Sequence, residues 1–145
     1  MDAHEYVVNV DWKADRLGVL SSVELPAEIN IEVATPPQFP KGIPNVWSPE
    51  HLFTAAVVSC FMTTFLSIAE NSKLDFSKFS CSAKGKLEQV EGKLKMTSVR
   101  LQPSICIADT AQKEKVARVM QKAEAACLIS NSITASVQLN PTLYV

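Results

Sequence analysis

Between Leu52 and Ala69 the chain runs for 18 residues without a charged side chain. That length sits at the lower limit for a membrane span. Two features argue for a helix inside a protein instead. Hydroxyls at Thr54, Ser59, Thr63, Thr64 and Ser67 interrupt the stretch, and no aromatic belt or basic flank brackets it. The expectation is a helix buried on most sides in a protein core, with no membrane partner. Its start is marked by Ser48-Pro49-Glu50: serine is a preferred N-cap, proline suits the first helical position, and a carboxylate complements the positive helix end. Asn71-Ser72-Lys73 closes it.

The flanking segments alternate with a period of two. Tyr6, Val8, Val10 and Trp12 share one face of a strand over Glu5–Lys13, and Asp15-Arg16-Leu17-Gly18 is a turn. Val19–Leu25 reads as a second strand. Glu28–Ala34 reads as a third, with Ile29, Ile31 and Val33 pointing inward. Thr35 to Asn45 holds four prolines and reads as a long ordered loop. Beyond the helix, 79–89 and 93–107 form a hairpin about Val90-Glu91-Gly92. A slip near Thr97-Ser98 and the ring of Pro103 call for a bulge or an edge position. Asp109–Cys127 reads as a second helix. Asp109 and Gln112 form a capping box there, and Val116, Val119, Met120, Ala123 and Cys127 make its apolar stripe. Ile133–Leu139 closes the chain as a strand. The order βββ-α-ββ-α-β predicts an α+β fold, one domain over residues 1–145, with helices packed on sheet.

The formal net charge of -1 offers no basic surface to phosphates, so nucleic acid is not an expected partner. Met1-Asp2-Ala3-His4-Glu5 has neither the basic nor the apolar region of a secretory signal, which points to the cytoplasm. In that reducing compartment the four cysteines are structural, metal-binding or redox-active rather than a permanent disulfide framework. Two isolated histidines and the lack of Cys-x-x-Cys spacing give no metal site. Neither a phosphate-binding glycine loop nor a dinucleotide fingerprint occurs, so no cofactor is expected. Chemistry is left to the thiols. Taken alone, Cys60 in the first helix and Cys127 at the end of the second read equally well as small core hydrophobes. Cys81 and Cys106 sit between apolar neighbours in the hairpin and read as packing.

The run from Trp47 through Ser48-Pro49-Glu50-His51 to Ser59-Cys60-Phe61 resembles the first motif of the OsmC/Ohr family. That motif is an Asn/Ser-Pro-Glu helix start with a cysteine ten residues after the glutamate. Ala125-Ala126-Cys127-Leu128-Ile129-Ser130-Asn131 resembles the second, a cysteine with serine three positions on. The order of elements is similar along nearly the whole chain. The resemblance implies a thiol peroxidase that reduces hydroperoxides, organic ones above all. Cys60 would be the attacking thiol and Cys127 its disulfide partner. It places Arg16 at the position of an active-site arginine and makes Glu50 its carboxylate partner. It also implies an intertwined homodimer and a dithiol reductant, of lipoyl or smaller type. The chain departs from the pattern at Leu128, where many members carry proline, at His51, where glutamine is common, and around Arg16, which lacks flanking glycines.

The implied chemistry sets physical conditions. The thiolate is the nucleophile. Cys60 lies too deep in its helix for the dipole to help, and burial works against ionisation, so a nearby cation is expected, with Arg16 as the candidate. Glu50 and Cys60 are ten residues apart, about 15 Å of rise and about 280° of rotation, so they do not share a helix face. A site that uses both is expected to be composite across two subunits. Phe53, Phe61, Met62 and Phe65 are candidate apolar walls for an alkyl hydroperoxide. The rival reading is a binding or stress-response module of the same fold with inert thiols. A thiol hydrolase or transferase is disfavoured, because His51, the one nearby base, lies about 13 Å along the helix.

Overall fold

The computed structural model describes residues 1–145. It divides into two compact units, Met1–Leu52 and Phe53–Val145.

The first unit is an antiparallel meander of β1 (Asn9–Ala14), β2 (Leu17–Ser21) and β3 (Ile31–Ala34). Asp15-Arg16 makes the first turn, with Asp15 at φ 50°. The strands are shorter than their alternating patterns. Pairing begins at Asn9↔Ser21, and Ala27–Ile29 is a single 3₁₀ turn rather than strand, which leaves Ile29 exposed. The face expected for the first strand carries no cover: Tyr6 is 83% exposed and Trp12 79%, with Val8 and Val10 also open. The proline-rich loop leaves β3 and returns beside it, where the Ala34 N–H donates to the Trp47 carbonyl at 2.9 Å. Gly42 makes the tight part of that loop possible, since a Cβ there would stand 2.0 Å from the Pro36 carbonyl oxygen. The loop delivers Ser48 to the start of α1 (Pro49–Asn71). Ser48 is buried, and its Oγ accepts the His51 backbone N–H at 3.1 Å, the N-cap geometry its position predicts.

In the second unit α1 continues and is followed by β4 (Phe76–Val90), β5 (Lys93–Ile107), α2 (Lys113–Ala126), β6 (Ser136–Leu139) and β7 (Thr142–Tyr144). β4 and β5 form the long hairpin. Its register shifts between Lys86 and Leu87, so that Thr97 is left over as the bulge the sequence calls for. β6 and β7 both pair with β5 in parallel, over Ser98–Leu101 and Ser104–Cys106. Pro103 falls in the gap between them, so it sits in a central strand where neither partner pairs on that side. The strand β7 has no clear signal in the sequence. The proposed capping box forms only in part. Asp109 accepts from the Ala111 N–H at 2.8 Å, but Gln112 turns away to accept from the Asp75 N–H.

The core lies between the sheet and the two helices. Val57, Phe61, Phe65 and Ala69 recur every four residues and make a single buried stripe on α1. Phe65 stacks on Phe79 at 4.9 Å between centroids and meets Phe76 edge-on at 5.5 Å. Such ring pairs add about 0.5–1.5 kcal/mol each beyond the area they bury, so this cluster fixes the rotation of α1 on the sheet. The α2 stripe is buried as its spacing predicts. The expectation that α1 is covered on most sides is not met within one chain. By length and composition α1 could cross a membrane, but its buried stripe packs on sheet, while Met62 and Leu66 remain exposed.

Candidate functional site

The α1 rotation set by Phe61 and Phe65 leaves Cys60 at the border between the buried stripe and the open face, so its thiol is part-exposed. The sulfur opens into a surface cavity of about 260 Å³ lined by Ala56, Ser59, Thr63 and Ile129. Of the hydroxyls around it, two are committed to the helix backbone. Ser59 donates to the Ala55 carbonyl at 2.6 Å and Thr63 to the Cys60 carbonyl at 3.1 Å. Thr64, one turn on, instead faces the Cys60 sulfur at 3.9 Å.

Cys127 arrives from the other side. It is the last residue of the α2 stripe and caps that helix, with its own side chain fully buried. The two thiols lie close enough to influence each other's ionisation, and both are free. Their protons are not held equally. Burial pushes the Cys60 thiol up, but the backbone of Ile129, the Cys127 thiol, the Thr64 hydroxyl and the backbone of Leu128 hydrogen-bond its sulfur, and the sum holds it below the ordinary range. Burial is also the largest influence on Cys127. The hydroxyl and backbone of Ser130 oppose it, the neighbouring Cys60 adds to it, and the sum raises Cys127. The Ser130 hydroxyl is buried without a hydrogen-bond partner of its own. The two thiols are thus held in opposite directions, Cys60 below and Cys127 above the ordinary thiol range. The groups that lower Cys60 all lie within Phe53–Val145.

The other two cysteines lie elsewhere on the sheet. Cys81 packs toward the core, where burial, opposed by the Gln102 backbone, pushes its thiol up to about 11. Cys106 stands opposite Lys78 and Tyr144. Of the candidate apolar walls, Phe61 and Phe65 are core residues with no exposure, and Ala56, Ser59, Thr63 and Ile129 line the cavity.

Arg16 and Glu50 belong to the first unit. Arg16 is exposed on its turn and lines a cavity of about 420 Å³ together with Trp12, Val33 and Pro49. This brings the arginine turn to the residue that precedes Glu50. His51 is engaged locally, its Nδ1 lying 2.7 Å from Ser48 Oγ and its ring edge-on to Trp47. Sequence reasoning missed Thr64, Leu128 and Ile129, because no motif marks a backbone amide or a threonine one turn from a cysteine.

Residues 42–142 match the family model described as OsmC-like protein. The uncharacterized protein YmaD of Bacillus subtilis (strain 168) is 24% identical over 96% of this chain and 93% of its own length. Among solved structures, an OsmC-like protein of unknown function from Vibrio cholerae aligns with a TM-score of 0.85 at 24% identity, over 96% of this chain and 99% of that one. An organic hydroperoxide resistance protein from Elizabethkingia anophelis aligns at 0.77 and 21% identity, over 99% and 97%. The organic hydroperoxide resistance protein OhrB of Bacillus subtilis aligns at 0.67 and 18%, over 97% and 98%. With a family model spanning most of its length and an α+β fold shared with these structures, this chain belongs to the OsmC-like family.

Proposed function

We propose that this protein is a thiol-dependent hydroperoxide reductase in oxidative stress defence. The observation that carries the reading is the asymmetric thiol pair: a part-exposed Cys60 held below the ordinary thiol range, beside a buried Cys127 held above it. Fold relatives named for organic hydroperoxide resistance support the same substrate class.

The Cys60 thiolate attacks the outer oxygen of the hydroperoxide. The O–O bond breaks, the departing alkoxide takes a proton and leaves as the alcohol, and Cys60 becomes a sulfenic acid. The Cys127 sulfur then attacks the Cys60 sulfur, its thiol proton passes to the departing sulfenic hydroxyl, which leaves as water, and a disulfide forms. A dithiol donor reduces it by exchange and leaves oxidised itself. Arg16 acts on the peroxide side, donating to the oxygens as charge develops, with Glu50 holding the guanidinium in place. The protein works as a homodimer in the cytoplasm. The open apolar face of Tyr6, Val8, Val10 and Trp12 and the uncovered Met62 and Leu66 of α1 favour a second copy as their cover.

The test is peroxide consumption measured with an organic hydroperoxide and with hydrogen peroxide, each supplied with a lipoamide-type dithiol or a monothiol. The organic substrate with the dithiol should be consumed fastest. No consumption under any of the four conditions would favour the module with inert thiols.

A further inference from the structure

We propose that Thr64 is a positioning residue for the reactive sulfur: its side-chain hydroxyl donates to the Cys60 thiolate, which steadies the charge and fixes where the sulfur points. The inference rests on the reading of Cys60 as the attacking thiol and adds a residue that tunes it.

The geometry follows from the helix. Side chains of an α-helix lean toward its N-terminus, so residue i+4 lies over residue i. Thr64 is one turn beyond Cys60 in α1 and leans back on it, with Oγ1 3.9 Å from the sulfur. Cys60 leans in the same sense toward Ala56, which lines the cavity into which the sulfur opens. A helical serine or threonine ordinarily spends its hydroxyl on a carbonyl one turn back. Ser59 does so at the Ala55 carbonyl, 2.6 Å away, and Thr63 at the Cys60 carbonyl, 3.1 Å away. The Cys60 carbonyl is also the one that accepts the Thr64 N–H in the helix ladder, so its two lone pairs are filled. The Thr64 hydroxyl faces the sulfur instead. Its branched side chain has only two favoured rotamers in a helix, so little freedom is lost in holding it there.

Ionisation decides which atom donates. In the thiol form either group can supply the proton. Once Cys60 has lost its proton the sulfur can only accept, and the hydroxyl is the donor. A hydrogen bond to a charged acceptor is shorter and stronger than one to a neutral thiol, so the contact tightens on ionisation and favours the thiolate. Burial, the largest influence on Cys60, works against that form, and the Thr64 hydroxyl is among the groups that oppose it.

Thr64→Val removes the hydroxyl and keeps the branched shape, while Thr64→Ser keeps the hydroxyl and removes the methyl. The readout is the pH dependence of Cys60 carbamidomethylation, followed by peptide mapping. In the valine variant the midpoint should rise by about half a unit, which is about threefold slower labelling at neutral pH. The serine variant should keep the wild-type midpoint. Should the valine variant fail to fold, Thr64→Ala removes the same hydroxyl, and the same rise is expected. An unchanged midpoint in a folded chain lacking this hydroxyl overturns the proposal. So does a serine variant that shifts as far as the valine one, since the methyl and not the hydroxyl would then matter. A rise confined to the variants without the hydroxyl, in a protein that reduces no peroxide, would sink the reaction and leave the role of Thr64 standing.

Discussion

Replacing Cys60 with serine is expected to lower hydroperoxide turnover by on the order of 10³-fold or more, because it removes the nucleophile rather than a contributor to it. A hydroxyl at this position ionises far above neutral pH, so the donors around the sulfur cannot make it a nucleophile. The fold should be indifferent. Cys60 lies at the edge of the α1 stripe and is part-exposed, and the aromatic cluster that anchors the helix is built from Phe61, Phe65, Phe76 and Phe79. Circular dichroism and the thermal midpoint should match wild type while peroxide consumption disappears. Retained turnover in this variant would remove Cys60 from the mechanism.

The second large effect belongs to Cys127→Ser. A single turnover needs only Cys60, so the first equivalent of peroxide should still be consumed. The sulfenic acid then has no thiol beside it. With excess peroxide Cys60 should climb to sulfinic and sulfonic acid, and steady-state turnover with a dithiol donor should collapse. Mass mapping after excess peroxide reads the outcome. An irreversibly oxidised Cys60 peptide is expected in the variant, and a disulfide in the wild type. Sustained turnover without over-oxidation would show that another thiol or the donor itself protects Cys60.

The parts of this molecule that follow local rules could be read from its sequence. Ser48-Pro49-Glu50 marked the start of α1, and Asn71 ends it. The pattern slip at Thr97 was a bulge, and the five-residue stripe of α2 is buried. What could not be read depends on distant partners. β7 is three residues long and exists because β5 offers it an edge. Gln112 abandons its capping box for an amide 37 residues away, at Asp75. The alternation over Glu5–Lys13 is strand only from Asn9 on, and its apolar residues stay exposed. At the site, the resemblance named both cysteines, and the structure sets them side by side. The surroundings that lower Cys60 stayed hidden, since they include the backbone of Leu128 and Ile129, where the chain leaves α2 and residue type carries no signal.

The central claim is that Cys60 reacts with a hydroperoxide and is then captured by Cys127. The most direct measurement treats fully reduced protein with one equivalent of an organic hydroperoxide, blocks remaining thiols, and maps the peptides without reduction. The account predicts one dominant disulfide, Cys60 to Cys127 within a single chain, with Cys81 and Cys106 recovered as blocked thiols. A bridge through Cys81 or Cys106, or four blocked thiols with the peroxide unconsumed, would contradict it.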